Sequence, residues 1–330
     1  MIKAPASPAR GSRPPAPPPS ISVVIPCWNA EQWIARAIKS VLDQHYPRLE
    51  VIVVDDGSSD RSLDVIRSLG DKVRWATGPN SGACAARNRG LEFSDSSYIM
   101  FLDADDYIEQ NSLNSWVESA CRADADIVFG PFAYERGGAR ALARSPNEPF
   151  NSLSLLCQWL EGWFTPPCSV LWRRSFVVSI GGWNSKARQS RSDDGELVMR
   201  ALLNDARVSV ANGGLGIYVQ HDSPHRVSQR AGAAVVACEL MLLRSLWEIA
   251  QARHHECARS SFCHAFYAIA YEAFAGGVDN VGHEALNEAR RLGLNGHVGS
   301  LMHRALANAL GLRAKLRLTR MLKRSRLPNR

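Results

Sequence analysis

The chain reads as an α/β protein: a mostly parallel sheet with helices on both faces, followed by a helical C-terminal region. Three observations predict this. Continuous Val/Ile runs without polar alternation indicate strands buried on both faces. Segments with apolar residues at a helical period lie between them. Beyond about residue 230 the strand-like runs stop and only helical patterns remain.

Taken in order, residues 1–20 hold seven prolines and no large apolar cluster, which predicts a disordered or polyproline-like arm. "ISVVIPC" from Ile21 is a first strand. "AEQWIARAIKSVLDQ" places Trp33, Ile34, Ala37, Ile38, Val41 and Leu42 on one helical face. "LEVIVVDD" is a second strand, "DRSLDVIRSLG" a helix closed by Gly70, and "VRWAT" a third strand. "GACAARNRGLEF" is a helix and "YIMFLD" a fourth strand. The pattern then becomes mixed. "DIVFGPFAY" reads as one strand, "GGARALARSPNEP" as a loop, "SLSLLCQWLEGW" as a helix and "CSVLWRR" as a strand. "SDDGELVMRALLND" is a helix, with "ARVSVA" and "GLGIYVQHD" as further strands. From about residue 233, four segments read as helices. These patterns divide the chain into an arm (1–20), an α/β domain (21–230, with halves 21–125 and 126–230) and a helical region (231–330).

Composition is that of a globular chain, with 45% hydrophobic and 22% charged residues. No apolar run approaches the ~20 residues that span a bilayer. The prolines of the arm follow no apolar h-region, so no secretory signal is expected. Eight cysteines are scattered without metal-site spacing, as expected of buried thiols in a reducing cytosol. The net charge of +7 belongs to the C-terminus. Residues 301–330 carry nine Arg or Lys and no acid, leaving 30 basic against 32 acidic residues in the rest.

In doubly wound sheets ligands collect at the carboxyl ends of the strands. The polar clusters of this sequence fall there: "PCWN" after the first strand, "DDGSSD" after the second, "DADD" after the fourth. One crevice lined by Trp28, Asp55, Asp56, Asp103 and Asp105 is therefore expected. Three like charges at Asp103, Asp105 and Asp106 repel one another unless a cation sits among them. Paired carboxylates suit a hard divalent ion, Mg²⁺ or Mn²⁺. Asp106 is also placed to cap the helix expected near Glu109.

Together "VIPCWN", "VVDDGSSD", "SGACAARNRG" and "FLDADD", in that order and spacing, resemble glycosyltransferase family 2. The resemblance is strong over residues 21–106 and weakens through about 228. It implies a GT-A fold (Rossmann-like), a nucleotide-sugar donor with a UDP-sugar favoured, a hydroxyl acceptor on a glycan or glycolipid, and inversion at the transferred carbon. It assigns Pro26, Cys27, Trp28 and Asp56 to the nucleobase, with Asp55 alongside, and counts Asn29 among the residues that bind the nucleotide sugar. Arg87 is assigned to the donor's base or diphosphate, Asp103 to the ribose or sugar, and Asp105 to the metal. An inverting transfer needs a base to deprotonate the acceptor hydroxyl. The resemblance places it at Asp194, 89 residues past Asp105, with Asp193 in support and Glu196 as the fallback. In "YVQHDSPHRVSQR", His221 or His225 would complete the metal shell and Arg226 would contact phosphate. Trp159, Trp163 and Phe164 lie where acceptors bind in the family.

Rival readings are less well supported. No GxGxxG follows the first strand, which speaks against a dinucleotide dehydrogenase. Tyr107 stands where a haloacid-dehalogenase-type phosphatase needs Thr or Val. A non-catalytic nucleotide-sugar-binding scaffold of the same fold is the main alternative. No "QxxRW" of processive synthases is present, which favours single addition, with cell-envelope polysaccharide or glycolipid synthesis as the setting. The basic tail lacks interleaved aromatics, so nucleic acid is not an expected partner. Leu306, Leu310, Leu316, Leu318, Met321 and Leu322 recur among the tail's basic residues. That pattern fits a cytoplasmic protein held peripherally at an anionic membrane surface through 301–330.

Overall fold

The computed structural model of the chain describes residues 17–223, 230–298 and 301–316, with side chains from 306 onward in the last segment. Most of the Pro-rich arm, His225, Arg226 and residues 317–330 lie outside this range.

The first half follows the expected alternation: β1 (Ile21–Cys27), α1 (Ile34–Leu42), β2 (Leu49–Asp55), α2 (Ser62–Ser68), β3 (Arg74–Thr77), α3 (Ala83–Phe93) and β4 (Tyr98–Phe101). β1 pairs in parallel with β2 and with β4, and β2 with β3. The register sets Cys27 opposite Asp55, so the polar clusters after both strands open at one sheet edge. Helix α1 starts at Ile34 because Ala30 to Trp33 form a turn that precedes it. Its buried Ile34, Ala37, Ile38 and Val41 recur at helical spacing, each isoleucine contributing about 2 kcal/mol by burial. Gly90 lets α3 close on β1, since a Cβ there would lie 2.2 Å from Val24 Cγ1.

The second half comprises β5 (Tyr107–Ile108), α4 (Ser112–Ala123), β6 (Ile127–Phe129), β7 (Phe132–Arg136), β8 (Ala139–Leu142), α5 (Ser152–Leu160), β9 (Val170–Arg173), α6 (Arg174–Ser179), α7 (Asp193–Leu203), β10 (Val208–Val210) and β11 (Gly216–Gln220). The main sheet has the order β10-β6-β9-β4-β1-β2-β3, with β9 antiparallel to both neighbours. A smaller sheet, β5-β11-β7-β8, stands beside it.

"DIVFGPFAY" is thus two strands in two sheets. Pro131 has no N–H to donate, and the chain leaves the first sheet there. Its carbonyl instead accepts from Gly216 N. The expected loop from Gly137 contains β8, because Gly137 and Gly138, with φ of 57° and 83°, form a two-residue hairpin turn.

Then follow α8 (Ala233–Ala252), α9 (Arg259–Gly276), α10 (Asp279–Arg291) and α11 (Leu301–Leu310). Strand alternation divides the interior. Val23, Ile25, Val51 and Met100 pack with α1 and α4. Val24, Ile52, Val54 and Phe101 belong to the opposite cluster, which continues through α5 and α7 into α8, α9 and α10. Among the described residues no helix is long and apolar enough to cross a membrane.

Candidate active site

At the carboxyl end of β4 the chain turns sharply, with Asp106 N donating to Asp103 O at 3.0 Å. The turn brings carboxylate oxygens of Asp103, Asp105 and Asp106 within 4.8 Å of one another. Their environments differ. Asp106 is 1% exposed and its Oδ1 accepts from Val219 N at 2.8 Å, which ties the turn to β11. It caps no helix; α4 begins only at Ser112. Asp105 pairs with His221 Nε2 at 2.8 Å, and the His221 ring stacks on Trp33 at 4.4 Å. Ser223 N donates to His221 Nδ1 at 3.3 Å, which leaves Nε2 to face the carboxylate. The oxygen-rich set with one imidazole suits a hard divalent cation, and Asp103, Asp105 and His221 line the crevice while Asp106 does not.

That crevice, about 660 Å³, runs along the sheet edge and is lined by Pro26, Cys27, Trp28, Asn29, Asp56, Arg87, Asp103, Asp105, Asp193, Asp194 and His221. At one end Trp28 is 42% exposed. Asn29, in left-handed backbone at φ 50°, accepts from Ser59 N through Oδ1. Both Asp56 oxygens are engaged, accepting from Ser81 N at 2.7 Å and Gly82 N at 2.8 Å ahead of α3. Asp55 does not line the crevice as expected. It is 2% exposed, and its carboxylate accepts from Thr77 Oγ1 at 2.6 Å and Ser58 N at 3.3 Å. The reason is alternation: the last strand residue points into the sheet layer and the next one into the cleft.

Arg87 is likewise not extended toward open solvent. It is 4% exposed, donates to Asp103 Oδ1 at 2.6 Å and to Asp193 Oδ2 at 2.8 Å, and stacks on Trp183 at 4.2 Å. Burial works against its charge, but the two carboxylates outweigh that and raise its pKa. The guanidinium therefore joins the acidic turn after β4 to the start of α7. Asp193 also receives the Cys84 thiol at 3.3 Å. Asp194, partly open to the crevice, is pushed up to about 8, first by desolvation and then by the adjacent Asp193 carboxylate. A carboxyl so raised can take a proton near neutral pH. Glu196, the fallback base, is 4% exposed and held by Arg200 at 2.8 Å beneath the helix. It takes no part in the crevice.

Of the expected aromatics, Phe164 lines the crevice, while Trp159 and Trp163 pack edge to face at 5.4 Å. Tyr218, 5.8 Å from Phe164, joins it. Among the residues that the sequence left unassigned, the arginines Arg188, Arg191 and Arg230 also line the crevice. For Arg188 and Arg191 their place just before the "SDD" stretch was the available signal; Arg230 lies 36 residues beyond it and carried none.

A family model described as glycosyl transferase family 2 matches residues 22–181. An uncharacterized glycosyltransferase of Haemophilus influenzae is 37% identical over 120 residues, covering 35% of this chain and 48% of the relative. The putative teichuronic acid biosynthesis glycosyltransferase TuaG of Bacillus subtilis is 36% identical over 104 residues, 30% of this chain and 41% of the relative. The matched stretches thus span less than half of these curated relatives. Among solved structures, TarS 1–349 of S. aureus in complex with UDP-GlcNAc superposes with a TM-score of 0.68. The likeness covers 94% of this chain and 93% of that one, at 16% identity, a likeness of fold.

Proposed function

With residues 22–181 forming a glycosyltransferase family 2 domain on a GT-A fold, we propose that the chain transfers a sugar from a nucleoside diphosphate sugar to an acceptor hydroxyl with inversion. The observation that carries this reading is the crevice itself. It sets the acidic turn of Asp103 and Asp105 against the α7 acids Asp193 and Asp194, with Arg87 bridging the two sides.

Asp105 and His221 would hold Mg²⁺ or Mn²⁺, which when bound offsets the charge of the departing diphosphate. Pro26, Cys27, Trp28 and Asn29 flank the base, Trp28 offering an exposed ring to stack on it. Asp56, its oxygens held by Ser81 and Gly82, fixes the rim of that pocket. Asp103, oriented by Arg87, faces the ribose or sugar. Asp194 accepts the proton of the acceptor hydroxyl. The freed oxygen bonds to the anomeric carbon as the bond from that carbon to the phosphate oxygen breaks, and the nucleoside diphosphate leaves with the bonding electrons. Asp193, fixed by Arg87 and Cys84, keeps Asp194 at the helix start. A UDP-sugar is the favoured donor, supported by the bound ligand of the TarS neighbour. Acceptors on cell-envelope glycans or glycolipids fit the biosynthetic role in the name of TuaG. The basic segment 301–330 would hold the enzyme at an anionic membrane surface.

Calorimetry tests the donor site. UDP binding should strengthen with Mn²⁺, and Asp105→Ala should abolish that gain. Equal affinity with and without the ion in both proteins refutes the assignment. An α-linked donor should give a β-linked product; retention of the α linkage rules out direct displacement.

A further inference from the structure

The stretch from Asn184 to Ser192 precedes α7 and forms the crevice wall facing the start of α3. It is held by the C-terminal helices, which lie beyond the family domain. Glu239 of α8 accepts through one oxygen from both Ser190 Oγ and Arg191 N, each at 2.9 Å. Cys238 Sγ donates to Lys186 O at 3.4 Å. Glu272 of α9 pairs with Arg191 at 2.7 Å. Arg230, at the approach to α8, donates through Nη1 to the carbonyls of Arg188 at 2.5 Å and Ser190 at 3.4 Å.

On this wall the charges are unevenly matched. Arg87 and Arg191 each have carboxylate partners. Arg188 and Arg230 have none among the described residues, their hydrogen bonds going to Asn80 Oδ1 and to the two carbonyls. Both line the crevice. The Arg188 side chain also lies over Gly82 at the start of α3, its Cγ 3.2 Å from where a Cβ would stand. Two guanidiniums lining one cleft, without acid partners among the described residues, present forked donors that match phosphate oxygens. Asp103 and Asp105 lie across the cleft, while Asp193 and Asp194 follow this stretch into α7, with Asp193 engaged by Arg87.

Resting on the transferase reading above, we propose that Arg188 and Arg230 form a phosphoryl-binding subsite that needs no divalent cation and is kept in place by α8 and α9. Its ligand is a phosphate ester. The ester comes either from the donor's diphosphate or from a phosphate carried by the acceptor.

The probe is glycerol 3-phosphate, titrated into the full chain with EDTA and again with saturating UDP and Mn²⁺. Binding is expected without metal, weakened at least ~10-fold in the Arg188→Gln/Arg230→Gln protein, since charge-assisted hydrogen bonds contribute on this scale. Each single substitution should give part of that loss. If UDP with Mn²⁺ excludes the probe, the subsite serves the donor's diphosphate. If the probe still binds, it serves an acceptor phosphate. No binding by the wild-type chain without metal, or equal binding by the double variant, overturns the subsite. Binding of UDP with Mn²⁺ to the wild-type chain is the separate control. Its failure removes the transferase reading, whereas UDP binding without probe binding removes the subsite alone.

Discussion

Asp194 sits where protein surrounds most of its carboxyl and a second carboxylate is its chain neighbour, so its pKa rises to about 8. The sign of the effect on rate is direct. The base acts only when deprotonated, so kcat/KM should climb with pH through about 8 and level off above. Asp194→Asn should lower turnover at least ~10²-fold and remove that limb, with little change in donor affinity. A variant that keeps full turnover would move the role to Asp193. Stability follows the same linkage. The unfolded carboxyl ionises near its ordinary 3.8 while the folded one stays protonated to about 8. This group's contribution is therefore fully present below about pH 4 and is lost as pH rises toward 8. Denaturant midpoints at pH 5 and pH 8 should lie closer together in the Asn variant than in the wild type.

Among the elements, α3 and α8 make opposite demands. Helix α3 must come close to β1, and Gly90 permits it. Gly90→Ala puts a methyl 2.2 Å from Val24 Cγ1, and overpacking of this kind costs roughly 1–3 kcal/mol. Denaturant unfolding should show that loss, and Val24→Ala in the same chain should recover part of it. Helix α8 acts through Glu239, whose single oxygen holds both Ser190 and Arg191. Glu239→Ala should lower kcat more than it weakens UDP binding, because the loop it frees leads into Asp193 and Asp194. Glu239→Gln keeps an acceptor oxygen and should restore most of the rate. Equal losses in the two variants would mean that the carboxylate supports folding only.

Across the whole molecule, the C-terminal helices share a core with one face of the sheet. Leu312 and Leu316 are 2% and 5% exposed, and Arg313 pairs with Asp279 at 2.5 Å. A truncation that tests membrane attachment must therefore begin after residue 316. Removing 317–330 takes away six of the nine basic residues of 301–330. It should release the protein from anionic vesicles at ~0.05 M salt, where screening is weak, without impairing UDP binding. If the intact chain does not sediment with such vesicles, the attachment is refuted. The alternation of strands and helices up to β4 was legible in the residues, because burial on both faces leaves continuous apolar runs and amphipathic helices leave a period. The gathering of "PCWN", "DDGSSD" and "DADD" at one sheet edge followed from the same periodicity. Local pattern did not reveal that Asp55 turns into the sheet while Asp56 faces the cleft. Nor did it show that Pro131 sends the chain into a second sheet. The partners of Arg87 stand at positions 103 and 193, and those of the 184–192 loop at 230, 239 and 272. Such contacts depend on how distant elements pack, and periodicity reports only which face of each element is buried. The sequence by itself determined the elements and the chemistry at their ends; the tertiary structure alone decided which charges meet.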